Sequence, residues 1–90
     1  MSKSDDRTQS TREHDLKVWP EFWNMLATGD KPFELRKDDR GFRVGDVLLL
    51  REWSERAGYS GQSLRKRVTC IISGAPWLRE NMVCMGLQNI

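Results

Sequence analysis

Short segments in which apolar and polar residues alternate recur along most of this chain, and this is the pattern of β-strands with one buried face. The strongest segment is Val47 to Trp53, which is rich in aliphatic residues. Weaker segments cover residues 16–19, 31–36, 65–73 and 82–87, and Phe42 and Val44 continue the alternation between two turn sequences. The pattern therefore predicts five or six short strands.

One segment has helical spacing instead. Its apolar residues Phe22, Met25 and Leu26 fall at i, i+3 and i+4. A proline precedes them and a glycine follows them, so we predict a helix over residues 20–28. A single early helix among regularly spaced strands indicates a mainly β fold of the α+β class, with one or two short helices and a small closed or half-open β-barrel.

Alternation also predicts which side chains are buried. Phe33 and Leu35 fall on one side of their segment and alternate with charged residues that face water. The other residues that we expect inside are Val68, Cys70 and Ile72 on one strand face, and the tryptophans Trp19, Trp23 and Trp53.

The first residues of the chain differ from the rest in composition. Residues 1–13 contain no aliphatic or aromatic side chain beyond the initiator methionine. Such a segment cannot bury enough surface to offset its ordering entropy, so we predict a disordered tail over 1–13 and a folded domain over 14–90. The total of 90 residues, 38% hydrophobic and 31% charged, suits one small globular domain.

Composition excludes some classes of protein. No apolar run approaches the roughly 20 residues of a membrane-spanning helix, and no charged-then-apolar leader opens the chain, so we expect a cytoplasmic protein without membrane contact. Fifteen basic and thirteen acidic residues give a net charge of +2. This balance is too mild to indicate nucleic-acid binding by itself, so any basic footprint must be local.

The metal-ligating residue types are sparse. Cys70 and Cys84 lie in short apolar segments, so we predict buried free thiols. The chain has no CxxC motif, and one histidine with two distant cysteines does not make a usual zinc site. We therefore expect no metal and no cofactor. His14, which stands beside the tail, fits a surface or strand-edge position better than a catalytic one.

The candidate chemistry is concentrated in residues 31–43. Eight of these thirteen residues are charged, and they are Lys31, Glu34, Arg36, Lys37, Asp38, Asp39, Arg40 and Arg43. Most of the basic members are arginines, whose planar forks suit phosphates and carboxylates, and the interleaved acids can hold those forks in place. The alternative is a solvated strand edge and turn.

A second basic cluster is Arg65, Lys66 and Arg67, at the start of the later strand. It follows a Gly- and Ser-rich segment, residues 54–63, that we predict to be a loop. Tyr59 lies in this segment, where its ring is hard to bury. An exposed aromatic ring beside basic groups suits stacking on an unpaired base, whereas the alternative is a tyrosine packed within its loop.

Several motifs carry a resemblance to a known family. They are the sequences at His14–Lys17, Gly29–Arg40, Phe42–Trp53 and Tyr59–Gly61. Together they resemble DUF3850, a family of small bacterial and phage proteins that is similar to the ASCH group of the PUA-like superfamily. The match covers about residues 14–90. It implies a PUA-like β-barrel with an early helix, and a cleft beside that helix for RNA or a modified nucleoside.

The resemblance also implies which residues line the cleft, namely Lys31, Glu34, Arg36, Arg40 and Tyr59. One ASCH branch consists of amidohydrolases of acetylated cytidine, which carry a lysine after the helix, a threonine three residues later and a glutamate in a later loop. Lys31 matches that lysine, but Glu34 occupies the threonine position and the loop after Ile72 is short. Other ASCH proteins are ribonucleases, which need only a base, an acid and cations for the phosphate.

Three functions follow as hypotheses, and for all of them we expect a monomer. The first is a nucleic-acid-binding module, for RNA or another single-stranded nucleic acid, whose contact residues are Lys31, Arg36, Lys37, Arg40, Arg43, Tyr59, Arg65 and Lys66. The second is a small hydrolase, either a ribonuclease or a modified-nucleoside amidohydrolase, with Lys31 and Glu34 as the catalytic pair. The third is a phage-type regulator that binds a host protein through an apolar patch at Trp77 and Leu78.

Overall fold

The computed structural model describes residues 12–90, and the predicted tail over residues 1–13 lies outside the described residues except for its last two. The elements in chain order are β1 (Glu13–Val18), α1 (Pro20–Thr28), β2 (Phe33–Lys37), β3 (Val47–Ser54), β4 (Gly58–Ser73) and β5 (Met82–Asn89). Glu13 belongs to the folded domain rather than to the tail, because it opens β1 opposite Val47 and forms an ion pair with Arg65.

The five strands form one sheet in the order β1-β3-β4-β5-β2, which curls into a half-barrel. β1 and β3 are parallel, and the other neighbouring strands are antiparallel. These features confirm the predicted mainly β, α+β fold with a half-open barrel. Among residues 12–90, no helix has the length and apolar character needed to cross a membrane.

The core lies on the concave face of the half-barrel, under α1. Its ten buried apolar residues are Leu16, Val18, Trp23, Leu26, Phe42, Leu48, Leu50, Val68, Val83 and Met85. Trp23 and Leu26 are three positions apart in α1, so they share one face of the helix and pack on the sheet. Burying each such side chain contributes about 1.5–3 kcal/mol, which is why α1 is held across the concave face.

Two arginine side chains, Arg36 from the edge strand β2 and Arg40 from the segment that follows it, reach the other edge strand, β1. The carbonyl groups of Asp15 and Lys17 lie on the edge strand β1 and accept hydrogen bonds from Arg40 Nη1, at 3.0 Å, and from Arg36 Nη2. Backbone carbonyls on a sheet edge need partners of this kind when they are withdrawn from water. The two arginines therefore supply hydrogen-bond donors to the edge of β1 at this opening.

His14 and Asp46 form a buried pair that fastens β1 to the turn before β3. The distance from His14 Nε2 to Asp46 Oδ2 is 2.8 Å, and the imidazole packs edge-on against Phe42 at 4.7 Å between ring centroids. The same carboxylate oxygen accepts a hydrogen bond from the Arg43 backbone N–H at 2.9 Å. His14 lies on an edge strand, as expected, but the alternative of a surface position was wrong, because the side chain alternates inward with the aliphatic residues of β1.

The prediction of a loop over residues 54–63 is wrong for most of these residues. Only residues 55–57 form a turn, and β4 already begins at Gly58, so that Tyr59 lies opposite Trp53. Gly58 and Gly61 adopt φ angles of 74° and 97°, which glycine reaches without strain. These glycines lie within a continuous hairpin, whose Gly- and Ser-rich composition is also typical of a loop.

Two other strand predictions were wrong. Phe42 is buried, but no strand forms between residues 38 and 46. In β4 the register shifts between Val68 and Cys70, and this bulge moves Cys70 and Ile72 to the convex face. Cys70 is therefore exposed rather than buried, whereas Cys84 is half-buried, and both thiols are free.

Candidate ligand-binding cleft

A cleft of about 480 Å³ opens between the end of β1, the start of α1 and the edge strand β2. Its aromatic lining consists of Trp19, Phe22 and Phe33. Its charged lining consists of Lys17, Lys31, Glu34, Arg36 and Lys37. The lining thus contains four basic residues and one acidic residue, which makes this cleft a local positive site on a chain of nearly balanced charge.

Glu34 is the buried acid of the cleft, with 5% of its surface exposed. Its Oε2 accepts a hydrogen bond from Arg36 Nε at 2.7 Å, and its Oε1 lies 3.4 Å from Lys31 Nζ. A carboxylate is withdrawn from water at high cost unless cations and donors replace the lost solvent, and here both oxygens have one. The prediction that the charged side of β2 faces water was therefore wrong, and Phe33 and Leu35 face out instead.

The end of α1 positions Lys31. Gly29 adopts a left-handed conformation, φ 88°, and its N–H donates to the Leu26 carbonyl at 3.3 Å. The Lys31 N–H then donates to the Met25 carbonyl at 2.9 Å, so the chain folds back beneath the helix. This turn directs the lysine side chain into the cleft.

The Lys31 ammonium lies between two aromatic rings. Nζ is 5.2 Å from the ring centroid of Phe22 and 5.2 Å from that of Phe33. Cations at this distance are attracted by the electron-rich ring faces. The ammonium is thus held by two rings and by Glu34, in a fixed position that a bound ligand would meet.

The aromatic side chains of the cleft are unusually exposed for their size. Trp19 is 50% exposed, Phe33 is 41% exposed and Phe22 is 40% exposed. The expectation that Trp19 is a core residue was wrong, because it precedes the first turn of α1 while Trp23 takes the inward position. Exposed rings grouped at one cleft are typical of a binding site rather than of a core.

The structure brings four of the predicted site residues together and places others elsewhere. Lys31, Glu34, Arg36 and Lys37 line the cleft. Arg40 lies outside this lining, where its guanidinium bonds the Asp15 carbonyl and approaches Asp39 at 3.8 Å. The predicted contact residue Arg43 is exposed on the turn before β3. Tyr59 lies on the hairpin of β3 and β4, under the guanidinium of Arg51.

The second basic cluster does not form one surface. Arg65 donates from Nε and Nη2 to the two oxygens of Glu13, each at 3.1 Å. This hydrogen bonding and the carboxylate charge raise the pKa of Arg65 above its usual value. Lys66 points to the other face of β4, where it is buried and its Nζ donates to Asn89 Oδ1.

Sequence reasoning missed Phe22 and Phe33 as functional residues. A signal for the first was present, because Phe22 and Trp23 are adjacent and successive helical residues point about 100° apart. Both rings cannot enter the core, so one of them had to face the solvent or a ligand. For Phe33 the signal was misleading, because the alternation in β2 does not reveal which of its two faces is inside.

The chemistry available in the cleft favours binding. A flat ring can stack on the exposed aromatic side chains while an anionic group approaches Lys31 or Lys37. None of the eleven residues that line the cleft in the described part of the chain is Ser, Thr or Cys. The lining therefore supplies cations and stacking surfaces, and it supplies no hydroxyl or thiol nucleophile.

The fold and this cleft define a small mainly β domain, a half-barrel with one short helix across its concave face. The family model described as domain of unknown function DUF3850 matches residues 13–87, and the chain belongs to this family. The match confirms the DUF3850 prediction and includes every residue that lines the cleft.

The chain is also similar to an uncharacterized 12.9 kDa protein of the GpA 3′ region of Escherichia phage P2. The two are 30% identical over 67 residues, which are 74% of this chain. The chain spans 61% of the length of that relative. The likeness is consistent with the prediction of a phage-type protein.

Proposed function

We propose that this protein is a nucleic-acid-binding module for RNA and that the cleft beside α1 is its binding site. The observation that carries the proposal is the set of exposed rings of Trp19, Phe22 and Phe33 around the fixed cations Lys31 and Arg36. Proteins recognise unpaired RNA by stacking its bases on aromatic rings and by placing cations beside its phosphates.

The charges of the cleft support an anionic ligand. Lys17 and Lys37 join the two fixed cations in the lining, and Glu34 is the one carboxylate among the described residues that line it. Because Glu34 is already neutralised by its two partners, it presents little repulsion to a phosphate. The binding is therefore electrostatic in part and weakens as salt is added.

The proposal includes the wider relationship of the family. We place DUF3850 beside the ASCH group of the PUA-like superfamily, on the half-barrel and on a cleft that lies next to the first helix. In that setting an RNA segment or a modified nucleoside is the ligand class that fits the cleft.

The test is binding of labelled single-stranded RNA, single-stranded DNA and duplex RNA by fluorescence anisotropy at two salt concentrations. Lys37→Ala is the informative variant, because Lys37 is an exposed cation of the cleft whose loss leaves the Glu34 cluster intact. Arg79→Ala is the matched control, since it removes an exposed positive charge outside the cleft. Arg36 and Arg40 are unsuitable because they also donate hydrogen bonds to backbone carbonyls of the edge strand β1.

We expect Lys37→Ala to weaken RNA binding and to lower the salt slope by about 0.7, the value of one phosphate contact on a single strand. Arg79→Ala should leave both quantities nearly unchanged. If the two variants changed RNA affinity equally, the cleft would not be the RNA-binding site. Absence of RNA binding at low salt would reject the proposed function and favour a protein partner, for which Trp77, with 78% of its surface exposed, is the natural contact.

A second candidate function is RNA or nucleoside hydrolysis with Lys31 and Glu34 as the catalytic pair. The 3.4 Å separation of their charged groups within the cleft favours it. The hydrogen bond from Arg36 to Glu34 favours a positioning role instead, because it occupies the carboxylate oxygen that Lys31 does not contact. Cleavage that is lost in Lys31→Ala, scored in the same incubations, would promote this candidate.

A further inference from the structure

We propose that the RNA partner is single-stranded and that its chain continues from the cleft across a second surface, which we call the aromatic track. The track consists of Trp19, Trp53 and Tyr59 with the cations Lys17 and Arg51. This inference rests on the proposed function, and it adds the strandedness of the partner and the path that the strand follows.

The track begins inside the cleft. Trp19 and Lys17 both line the cleft, and both also contact Trp53. The indole rings of Trp19 and Trp53 meet edge to face, 6.2 Å apart at their centroids and 84° between planes. Lys17 Nζ lies 4.2 Å from the Trp53 ring centroid. A strand that leaves the cleft over Trp19 therefore meets a ring and a cation directly beside it.

The hairpin of β3 and β4 extends the same surface. Trp53 and Tyr59 are cross-strand partners, so their side chains stand next to each other on one face. Arg51 is two residues before Trp53 in β3 and shares that face, and its guanidinium carbon lies 3.9 Å from the Tyr59 ring centroid. Three neighbouring rings, with a cation over Trp53 and another over Tyr59, thus run from the cleft to the hairpin.

A backbone irregularity produces this alignment. The register between β3 and β4 shifts between Arg51 and Trp53, and Gly61, with a φ of 97°, lies in the extra segment of β4. The shift places Tyr59 opposite Trp53, where an unbroken register would place Gly61. Bulges of this kind are common where a strand directs a side chain toward a ligand.

The side chains of the track remain available to a ligand. Trp19 is half exposed and Tyr59 is 46% exposed. Arg51 donates from Nη1 to Asp15 Oδ2 at 3.0 Å, but a guanidinium carries five N–H groups, and one carboxylate contact leaves donors for a phosphate. Asp15 is the negative charge on this surface, and its pairing with Arg51 limits the repulsion that a phosphate would meet.

The aromatic track favours single-stranded RNA over duplex RNA as the ligand. The exposed rings of Trp19 and Tyr59 can contact unpaired bases, whereas the bases of an RNA duplex are stacked on one another and its deep groove excludes side chains. Aromatic rings combined with cations that follow the backbone are the arrangement by which proteins hold single strands with little sequence preference. The structure therefore assigns to the track an RNA strand that extends beyond one or two nucleotides.

The experiment measures affinity for oligoadenylates of one to about eight nucleotides, a range that covers the footprint of a small single-strand-binding domain. Unmodified protein should bind the longer oligomers more tightly and reach a plateau within the series. Tyr59→Leu, which removes the ring and keeps an apolar side chain, should lower the affinity for long oligomers about 5- to 150-fold, the loss of one base stack. Binding of mononucleotides and dinucleotides should be unchanged.

Trp77→Leu is the matched control, because it removes an exposed ring outside the cleft and the track and should bind like the unmodified protein. Affinity that is independent of length, together with no effect of Tyr59→Leu and a clear effect of Lys37→Ala, would overturn the track and leave the cleft as the site. No binding of any oligomer would instead reject the proposed function itself. Preference for duplex RNA over single strands would also overturn the inference. The dependence of affinity on oligomer length tests the track with the unmodified protein alone.

Discussion

Arg36 donates a hydrogen bond from Nε to the buried carboxylate of Glu34 at 2.7 Å, and the Nη2 of the same guanidinium donates to the Lys17 carbonyl on the opposite edge of the sheet. One side chain thus fixes the acid of the cleft and bridges the opening of the half-barrel. The cleft and the closure of the fold are consequently coupled through Arg36.

This coupling predicts a large loss of stability for Arg36→Ala. Removing the guanidinium leaves Glu34 buried with only Lys31 beside it and leaves the Lys17 carbonyl without this donor. We expect the free energy of unfolding to fall by about 2–4 kcal/mol, measured by urea denaturation. Arg43→Ala, at an exposed position on the following turn, should change it by less than ~0.5 kcal/mol. Equal stabilities for the two variants would contradict the bridging role.

The second prediction concerns the buried pair of His14 and Asp46. Asp46→Ala removes the carboxylate that bonds both the imidazole and the Arg43 backbone N–H, and leaves these groups buried without it. We expect a loss of about 2–4 kcal/mol in the free energy of unfolding. Asp39→Ala, which removes an exposed carboxylate 3.8 Å from Arg40, should cost less than ~1 kcal/mol. A similar loss for both variants would show that Asp46 does not fasten β1.

The third prediction tests the close approach of β4 and β5. A Cβ atom on Gly86 would lie 2.6 Å from Cys70 Sγ and 3.0 Å from Thr69 Oγ1. Gly86→Ala should therefore lower the free energy of unfolding by about 1–3 kcal/mol. Thermal unfolding of the variant measures this loss. The loss should shrink in a Cys70→Ala background, since the nearest clashing atom is then absent. An unchanged loss in the double variant would mean that Cys70 is not the obstacle.

The fourth prediction separates the two aromatic residues at the start of α1. Phe22→Leu removes an exposed ring of the cleft, so RNA affinity should fall several-fold while stability changes by less than ~1 kcal/mol. Trp23→Leu removes a buried ring and should lower the free energy of unfolding by about 2–4 kcal/mol. Affinity and unfolding curves measured on both variants decide the matter. If Phe22→Leu lowered the stability and Trp23→Leu lowered only the RNA affinity, α1 would be rotated so that Phe22 faces the core.

Much of the fold could be predicted from local patterns. The helix over residues 20–28 is observed with the predicted bounds, because the proline, the spacing of its apolar residues and Gly29 act within a few residues of one another. The strand at Val47 to Trp53 is observed almost unchanged, because its aliphatic residues indicate the same conformation at every position. The segment that contains Lys31, Glu34 and Arg36 was correctly identified as the site of densest charge, and the structure gathers these three residues in one cleft.

The faces of the strands could not be predicted in the same way. The pattern of β2 is equally periodic with Phe33 inside or with Glu34 inside, and the carboxylate is buried only because Lys31 and Arg36 meet it there. Glu52 likewise follows the alternation of Leu48 and Leu50 along β3, a pattern that indicates the buried face. Glu52 is instead half-buried and accepts a hydrogen bond from Gln62 Nε2 at 3.1 Å.

The sequence by itself therefore determined the class of fold, the position of the helix and the charged segment of the site, since these depend on the spacing of residues along the chain. The tertiary structure alone decided that Glu34 is buried, that Trp19 and Phe33 are exposed, and that Arg36 bridges the sheet edges. The physical reason is that burial of a charge depends on partners that the fold brings together from distant positions. The exposure of an aromatic ring depends in the same way on the fold, because the rest of the chain covers only one side of the helix or strand that carries the ring.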